Sequence, residues 1–500
     1  MIRGRLISSA SWLVRRLCTA SVEAAPAAES SRRHGKLYRK LSALGATGGT
    51  VAQVLDQHIM EGGTVRKDEL SRIIKELRKF RRHQHALEIM DWMERRKMNF
   101  SHPDQATRLD LIAKTKGITA AENYFSGLSP AAKNQFTYGA LLNCYCTEVM
   151  TDKALAHFEK MDELNFVSGS LPFTNLMCLY MKLGKPEEVP RLVDEMKRRK
   201  IPLSTFSYSI WLQSLGSLDD IEGVEEVLEE MAKDGEDKST WNTYANLAAI
   251  YAKAGQIEKA KLALKSLEEK MKKRNREPYH YLLSIYAGIS NPAEVNRVWN
   301  SLKTAIPGVN NMSYLVMLQA LDKLNDVSGL KKCFEEWESN CSHYDMRLAN
   351  VTIRNYLSAD MHSEAISVFA NARKRSSGPF LKAHEMLVIF YLKNQQPHLA
   401  LKHWEEAISG EDKNWSWSSE LVSAFFKYFR EGKDVDGAEE FCRGLKQFDC
   451  LDSNAYSLLL RTYIAAGRSA PEMQRRLEQD NIEINQELEE LLANVSSIFR

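Results

Sequence analysis

Long apolar runs are missing from this 500-residue chain. A membrane-spanning helix needs about 20 consecutive apolar residues, and no stretch comes near that, so no membrane partner is expected. Site signatures are equally scarce. None of the eight cysteines (Cys18, Cys144, Cys146, Cys178, Cys333, Cys341, Cys442 and Cys450) forms a C-x-x-C pair. Cys144 and Cys146 stand too close for ordinary zinc spacing, and all read as small buried thiols. The histidines form no H-E-x-x-H pattern, and neither His83/His85 nor His398/His403 points to a site. No Gly-rich phosphate loop and no Ser/His/Asp pattern stands out. The chain is therefore expected to be no enzyme, with no catalytic residue, metal ligand, cofactor or small-molecule substrate.

A strong net charge is missing as well: 68 Lys and Arg balance 65 Asp and Glu, a net of +3. Even this excess belongs to one end. Residues 1–35 carry Arg3, Arg5, Arg15, Arg16, Arg32 and Arg33 against only Glu23 and Glu29. Ile2, Leu6, Ile7, Trp12, Leu13, Val14 and Leu17 can share a helical face there. An Arg-rich, acid-poor amphipathic leader is the pattern of an organelle transit peptide, and its Arg content favours the mitochondrial matrix over the chloroplast. The alternative is a disordered tail. Without residues 1–35 the net charge is −1. Nucleic-acid binders usually carry a basic footprint, so any such binding here must rest on local clusters.

What the chain has in abundance is repetition. Tyr145, Tyr180, Leu215, Tyr251, Tyr286, Leu321, Tyr356 and Tyr391 fall 35, 35, 36, 35, 35, 35 and 35 residues apart. Thirteen residues behind runs Phe158, Val193, Leu228, Leu264, Trp299, Phe334, Phe369 and Trp404. A third ladder is Ala154, Val189, Val224, Ala260, Val295, Leu330, Ala365 and Ala400. Three apolar ladders in phase define a solenoid of stacked units. Each unit reads as two helices. In one, Tyr244, Leu247 and Tyr251 share a face of the first helix, Ala260, Leu264 and Leu267 share a face of the second, and Gly255 marks the break. A lone hairpin cannot bury both faces, so its neighbours must cover it.

Two stretches carry a family resemblance: Gln135-Phe-Thr-Tyr-Gly-Ala-Leu-Leu-Asn-Cys-Tyr145 and Thr240-Trp-Asn-Thr-Tyr-Ala-Asn-Leu-Ala-Ala-Ile-Tyr-Ala-Lys-Ala-Gly255. Second helices add Ala154-Leu-Ala-His-Phe-Glu-Lys-Met161 and Val189-Pro-Arg-Leu-Val-Asp-Glu-Met196. These resemble the pentatricopeptide repeat (PPR) pattern, and the near-constant unit length resembles its P class, common in plant organelles. The resemblance implies an all-α fold, a right-handed α-solenoid (superhelix) of helix-turn-helix repeats. It implies RNA as partner, read at about one base per unit by a few side chains.

In the resembling family the reading side chains sit at position 5 of a unit and at its last residue. Carried over, those with polar groups are Thr174 with Ser204, Ser209 with Thr240, His280 with Asn310, and Asn350, whose partner is Phe380. The remaining pairs are Gly139/Gly169, Ala245/Asn275 and Leu315/Asp345. None is a usual base-discriminating pair. Position 2 supplies an apolar wedge at Phe136, Leu171 and Phe206, but Asn242, Glu277, Arg347 and Lys382 replace it later. Lys182, Lys253, Lys323 and Lys393 recur at position 13, where the family's lysines reach phosphate. A row of such cations tracks a strand without reading it. The alternative for each is compensation of a helix dipole. The clusters Arg95–Lys97, Lys197–Lys200, Lys272–Arg274 and Arg373–Arg375 carry the same two readings, helix capping or contact with structured RNA.

The expected organisation is a transit peptide at 1–35, an N-terminal capping segment with one helix at 36–66, an array of eleven to twelve units at 67–467, and C-terminal capping helices at 468–500. Two functions remain open. One is an RNA-binding mitochondrial protein acting in transcript stability, processing or translation. The other is an interaction scaffold, such as a component or assembly factor of the mitochondrial ribosome contacting ribosomal RNA and ribosome proteins.

Overall fold

The hairpin pattern follows from how each pair of helices starts, turns and packs. In the computed structural model, which describes residues 36–47, 49–233, 239–378, 380–410 and 415–497, α-helices account for nearly all the regular structure. The transit-peptide expectation at 1–35 lies outside the described residues.

In chain order the helices are α1 (Lys36–Thr47), α2 (Val51–Met60), α3 (Lys67–Lys79), α4 (His83–Arg95), α5 (His102–Lys116), α6 (Ile118–Ser126), α7 (Gln135–Thr147), α8 (Thr151–Glu163) and α9 (Ser170–Lys182). Then come α10 (Glu188–Arg198), α11 (Thr205–Ser217), α12 (Ile221–Lys233), α13 (Trp241–Lys253), α14 (Ile257–Lys270), α15 (Arg276–Gly288) and α16 (Pro292–Ala305). The rest are α17 (Asn311–Lys323), α18 (Val327–Asn340), α19 (Met346–Ser358), α20 (His362–Arg375), α21 (Leu381–Lys393), α22 (Pro397–Ile408), α23 (Ser419–Gly432), α24 (Val435–Gln447), α25 (Ser453–Ala466), α26 (Met473–Gln479) and α27 (Gln486–Ser497). A short 3-10 turn, Pro130–Ala132, precedes α7, and no strand occurs among the described residues. Residues 36–66 hold two helices rather than the one expected. Thr50 makes the difference: its capping box with Gln53 starts a fresh helix at Val51. None of these helices is long and apolar enough to cross a membrane.

The described residues fall into two compact units. One runs to Ile289 and takes in Asn300–Ile306; the other comprises Ser290–Trp299 and the residues from Pro307. Within the first, the leading helices of successive hairpins pack side by side, α5 on α7, then α9, α11, α13 and α15. Within the second, α17, α19, α21, α23, α25 and α27 do the same. Each unit is thus a solenoid of helical hairpins.

Every core hairpin turns on the same device. Val149, Gly184, Asp219, Gly255, Ser290, Asn325, Asp360 and Gln395 all have positive φ, from 54° to 77°. They sit at one register position, and only two are glycine. In seven of the eight the next amide reaches back to the carbonyl of the first ladder, as Gln256 N to Tyr251 O at 2.8 Å and Gln396 N to Tyr391 O at 2.9 Å. This six-residue bond closes the helix end in the Schellman manner.

The third ladder is the close-packing seam. All eight of its residues, Ala154 to Ala400, have zero exposure. Apart from Leu330, their small or β-branched side chains let the second helix approach the first, and Tyr251, Tyr286, Tyr356 and Tyr391 are buried as well. Gly444 extends this logic: a Cβ there would lie 2.6 Å from the Trp404 ring, itself packed on Phe425, Phe441 and Trp417. On the outer side, second helices are linked by ion pairs one repeat apart: Arg199 with Asp162, Lys197 with Glu230, Lys259 with Glu225 and Arg373 with Glu406. Each exposed pair contributes about 1 kcal/mol at most.

Candidate nucleic-acid interface

The residues that end each unit are helix N-caps. Ser204 Oγ accepts from the Ser207 amide at 3.1 Å, and Ser207 Oγ accepts in turn from the Ser204 amide. Thr240 N donates to Thr243 Oγ1 at 3.2 Å. Asn310 Oδ1 accepts from both the amide and the hydroxyl of Ser313 at 3.0 Å. Asn275 and Asp345 cap α15 and α19 in the same way. Ser, Thr, Asn and Asp are preferred there because they satisfy amides the helix leaves open. The chemistry that suggested base reading is thus engaged locally.

Position 5 faces inward. Thr174 is 2 % exposed, and its Oγ1 donates to the Leu171 carbonyl at 2.9 Å. Ser209 Oγ donates to the Thr205 carbonyl at 3.0 Å. His280, Ala245 and Leu315 are buried. Asn350 is half-buried, and its Oδ1 has no hydrogen-bond partner. Position 2 lies outward by contrast: Phe136 is 44 % and Leu171 59 % exposed, while Phe206 is half-buried. Of the expected base contacts, Phe136, Leu171, Thr240 and Asn310 are therefore the exposed ones.

The position-13 lysines behave unequally. Lys182 Nζ donates to the carbonyls of Cys146 and Thr147 at 3.1 and 3.3 Å, the open C-terminus of the preceding first helix. Lys253 donates to the Gly216 carbonyl at the equivalent place, 3.0 Å away, and pairs with Asp219 at 2.8 Å. Both cations therefore serve the dipole of a neighbouring helix. In the other unit Lys393 pairs with Glu420 at 2.7 Å, both ends exposed. Lys323 is exposed and makes no hydrogen bond or ion pair among the described residues. The basic clusters are partly neutralised too. Arg96 pairs with Asp56, Arg199 with Asp162 through two bonds, and Arg375 donates to the Glu338 carbonyl.

One group of residues had no sequence signature. His384 on α21 and His403 on α22 meet with Nδ1 atoms 3.1 Å apart, and Glu406 lies beside them. Burial lowers the pKa of both imidazoles, and together with the neighbouring His403 it brings His384 to about 4. The signal was in the register: Tyr138 and His157, also 19 residues apart, stack at 5.2 Å in another hairpin. Burial lowers the pKa of His157 as well, although its ring nitrogen bonds the Tyr138 carbonyl.

Helical hairpins of this kind, stacked through first helices, define a class of α-solenoid repeat proteins. The PPR repeat family profile matches residues 169–217, and the PPR repeat profile matches residues 136–166 and 206–236. Two mitochondrial pentatricopeptide repeat-containing proteins of Arabidopsis thaliana are similar along most of the chain. One is 58 % identical over 467 residues, covering 93 % of this chain and 87 % of the relative. The other is 52 % identical over 500 residues, covering 98 % and 100 %. A third Arabidopsis relative, the large ribosomal subunit protein mL101 (rPPR4), is 40 % identical over 464 residues, covering 92 % and 94 %. The chain belongs to the pentatricopeptide repeat family, and it is a plant mitochondrial member.

Proposed function

We propose that this protein associates with RNA in the mitochondrion as a non-enzymatic PPR protein that does not read one base per repeat. The observation that carries this is the use of the Ser204 and Asn310 side chains as helix caps, together with the burial of Thr174 and His280. Base discrimination requires paired donors and acceptors that are free to face an edge. RNA contact falls instead to the exposed Phe136 and Leu171, on which bases stack, and to Lys323 and Lys393, which meet phosphate. Thr174, Ser209 and Asn350 then line the helices without reading. The process served is transcript stability, processing or translation.

A second reading is favoured by one observation: a 40 %-identical relative of nearly the same length is a large-ribosomal-subunit protein. On this reading the array is a component or assembly factor of the mitochondrial ribosome, held on folded ribosomal RNA and ribosome proteins.

Crosslinking in intact mitochondria, with sequencing of the attached RNA and gradient sedimentation of the protein, tests both. Reads spread over ribosomal RNA with sedimentation at a subunit support the scaffold. Reads over several transcripts with the protein near the top of the gradient support free, unspecific association. Reads confined to one short messenger site would overturn the proposal that the code is not used.

A further inference from the structure

The hairpin α21–α22 holds a feature outside the candidate interface. His384 comes from the first helix and His403 from the second, and their Nδ1 atoms face one another at 3.1 Å. Glu406 stands three residues after His403, on the same helical face. The ligand atoms of the three side chains all lie within 4.8 Å of one another. We propose that His384, His403 and Glu406 bind a first-row divalent metal ion of the zinc class, which ties the two helices of this repeat together.

The distances suit such an ion. Metal–nitrogen bonds of about 2.0–2.1 Å in a tetrahedron set two nitrogens about 3.3 Å apart. The observed 3.1 Å reaches that with a small opening of the pair. Facing neutral imidazoles share a single proton, one ring donating and the other accepting. When the donating ring shifts its proton to Nε2, both imidazoles stay neutral and both Nδ1 lone pairs are open to a metal ion. Two nitrogens and one carboxylate, with no thiolate, suit zinc better than a soft ion such as Cu(I). Three protein ligands leave a fourth position for water.

The surroundings hold the ligands in place. Arg373 Nη1 donates to Glu406 Oε2 at 2.9 Å, fixing the carboxylate while its other oxygen turns to the ion. Phe369 stands edge-on to both imidazoles, at 5.1 and 5.9 Å between ring centres. Tyr391 stacks on His403 at 5.6 Å with an interplanar angle of 9°. His384 is 5 % exposed, so its ring is held in the hairpin core. The site shares no residue with the RNA-facing positions, so it stands whether or not the RNA reading does.

The test is titration of the purified full-length protein with Co²⁺, a spectroscopic stand-in for zinc. The expected result is a visible d–d band that saturates at one equivalent and is displaced by Zn²⁺. His403→Gln should abolish the band. Glu406→Gln, at a half-buried position, should lower the melting temperature of the metal-free protein only slightly, through the weakened link to Arg373, and weaken Co²⁺ binding by about tenfold or more. The Zn²⁺-loaded wild type should melt higher than the metal-free protein, and Glu406→Gln should lose that rise. Absence of a band in the wild type would overturn the site. So would a band that persists unchanged in Glu406→Gln, since the ion would then sit elsewhere, for instance on cysteine.

Discussion

Lys253 is tied to Asp219 across the repeat boundary: its ammonium lies 2.8 Å from the carboxylate and 3.0 Å from the Gly216 carbonyl beside it. The lysine at the end of one first helix thus closes the end of the one before it. Lys182 repeats the arrangement on Cys146 and Thr147. A cation whose charge already serves helix ends is less available to phosphate.

This separates Lys182 and Lys253 from Lys323. Lys182→Gln or Lys253→Gln should destabilise the protein by about 0.3–1 kcal/mol in denaturant titration and leave RNA binding nearly unchanged. Lys323→Gln should not lower stability, because burial already disfavours the Lys323 charge, and it should weaken single-strand binding, reducing the slope of log K against log salt by about 0.7. Filter binding of a labelled single strand across a salt series measures this. Equal slopes for Lys323→Gln and wild type would remove Lys323 from the interface.

Val149 occupies the left-handed turn position with φ 58°, where two other repeats have Gly184 and Gly255. A β-branched residue is disfavoured there by roughly 1–2 kcal/mol. Val149→Gly should therefore stabilise the protein, by about 1 kcal/mol after the added backbone freedom of glycine is counted. An equilibrium denaturation midpoint that falls would refute this account of the turn.

The seam and the tyrosine ladder predict opposite kinds of damage. Tyr251→Ala removes a ring that is 7 % exposed and should cost about 3–5 kcal/mol as a cavity. Ala260→Leu adds volume where exposure is zero and should cost about 1–3 kcal/mol by overpacking. Chemical denaturation of both variants checks the assignment, and proteolysis should begin near the altered hairpin.

His157 gives a pH dependence. Its pKa is lowered mainly by burial, so the native ring refuses a proton that the unfolded chain accepts. Stability is therefore full above the ordinary histidine pKa of about 6.5 and declines as pH falls below it, by no more than about 1.4 kcal/mol per pH unit from this group. His157→Gln should show a shallower loss of Tm between neutral pH and pH 5 than wild type.

The sequence by itself determined the repeat. The 35-residue ladders, the break at Gly255 and the PPR pattern at Gln135–Tyr145 needed only periodicity, because a buried face must recur with the helix and with the repeat. The lysines of position 13 were equally visible, but their partners were not. Only the tertiary structure placed Lys253 on Asp219, made Ser204 and Asn310 caps, and turned Thr174 and His280 inward. It also brought His384 to His403, residues on two different helices. Periodicity fixes which face a residue belongs to along its own helix. What that residue touches depends on how the next helix crosses it, and that is set by packing between helices, where small residues such as Ala260 decide how close the two can come.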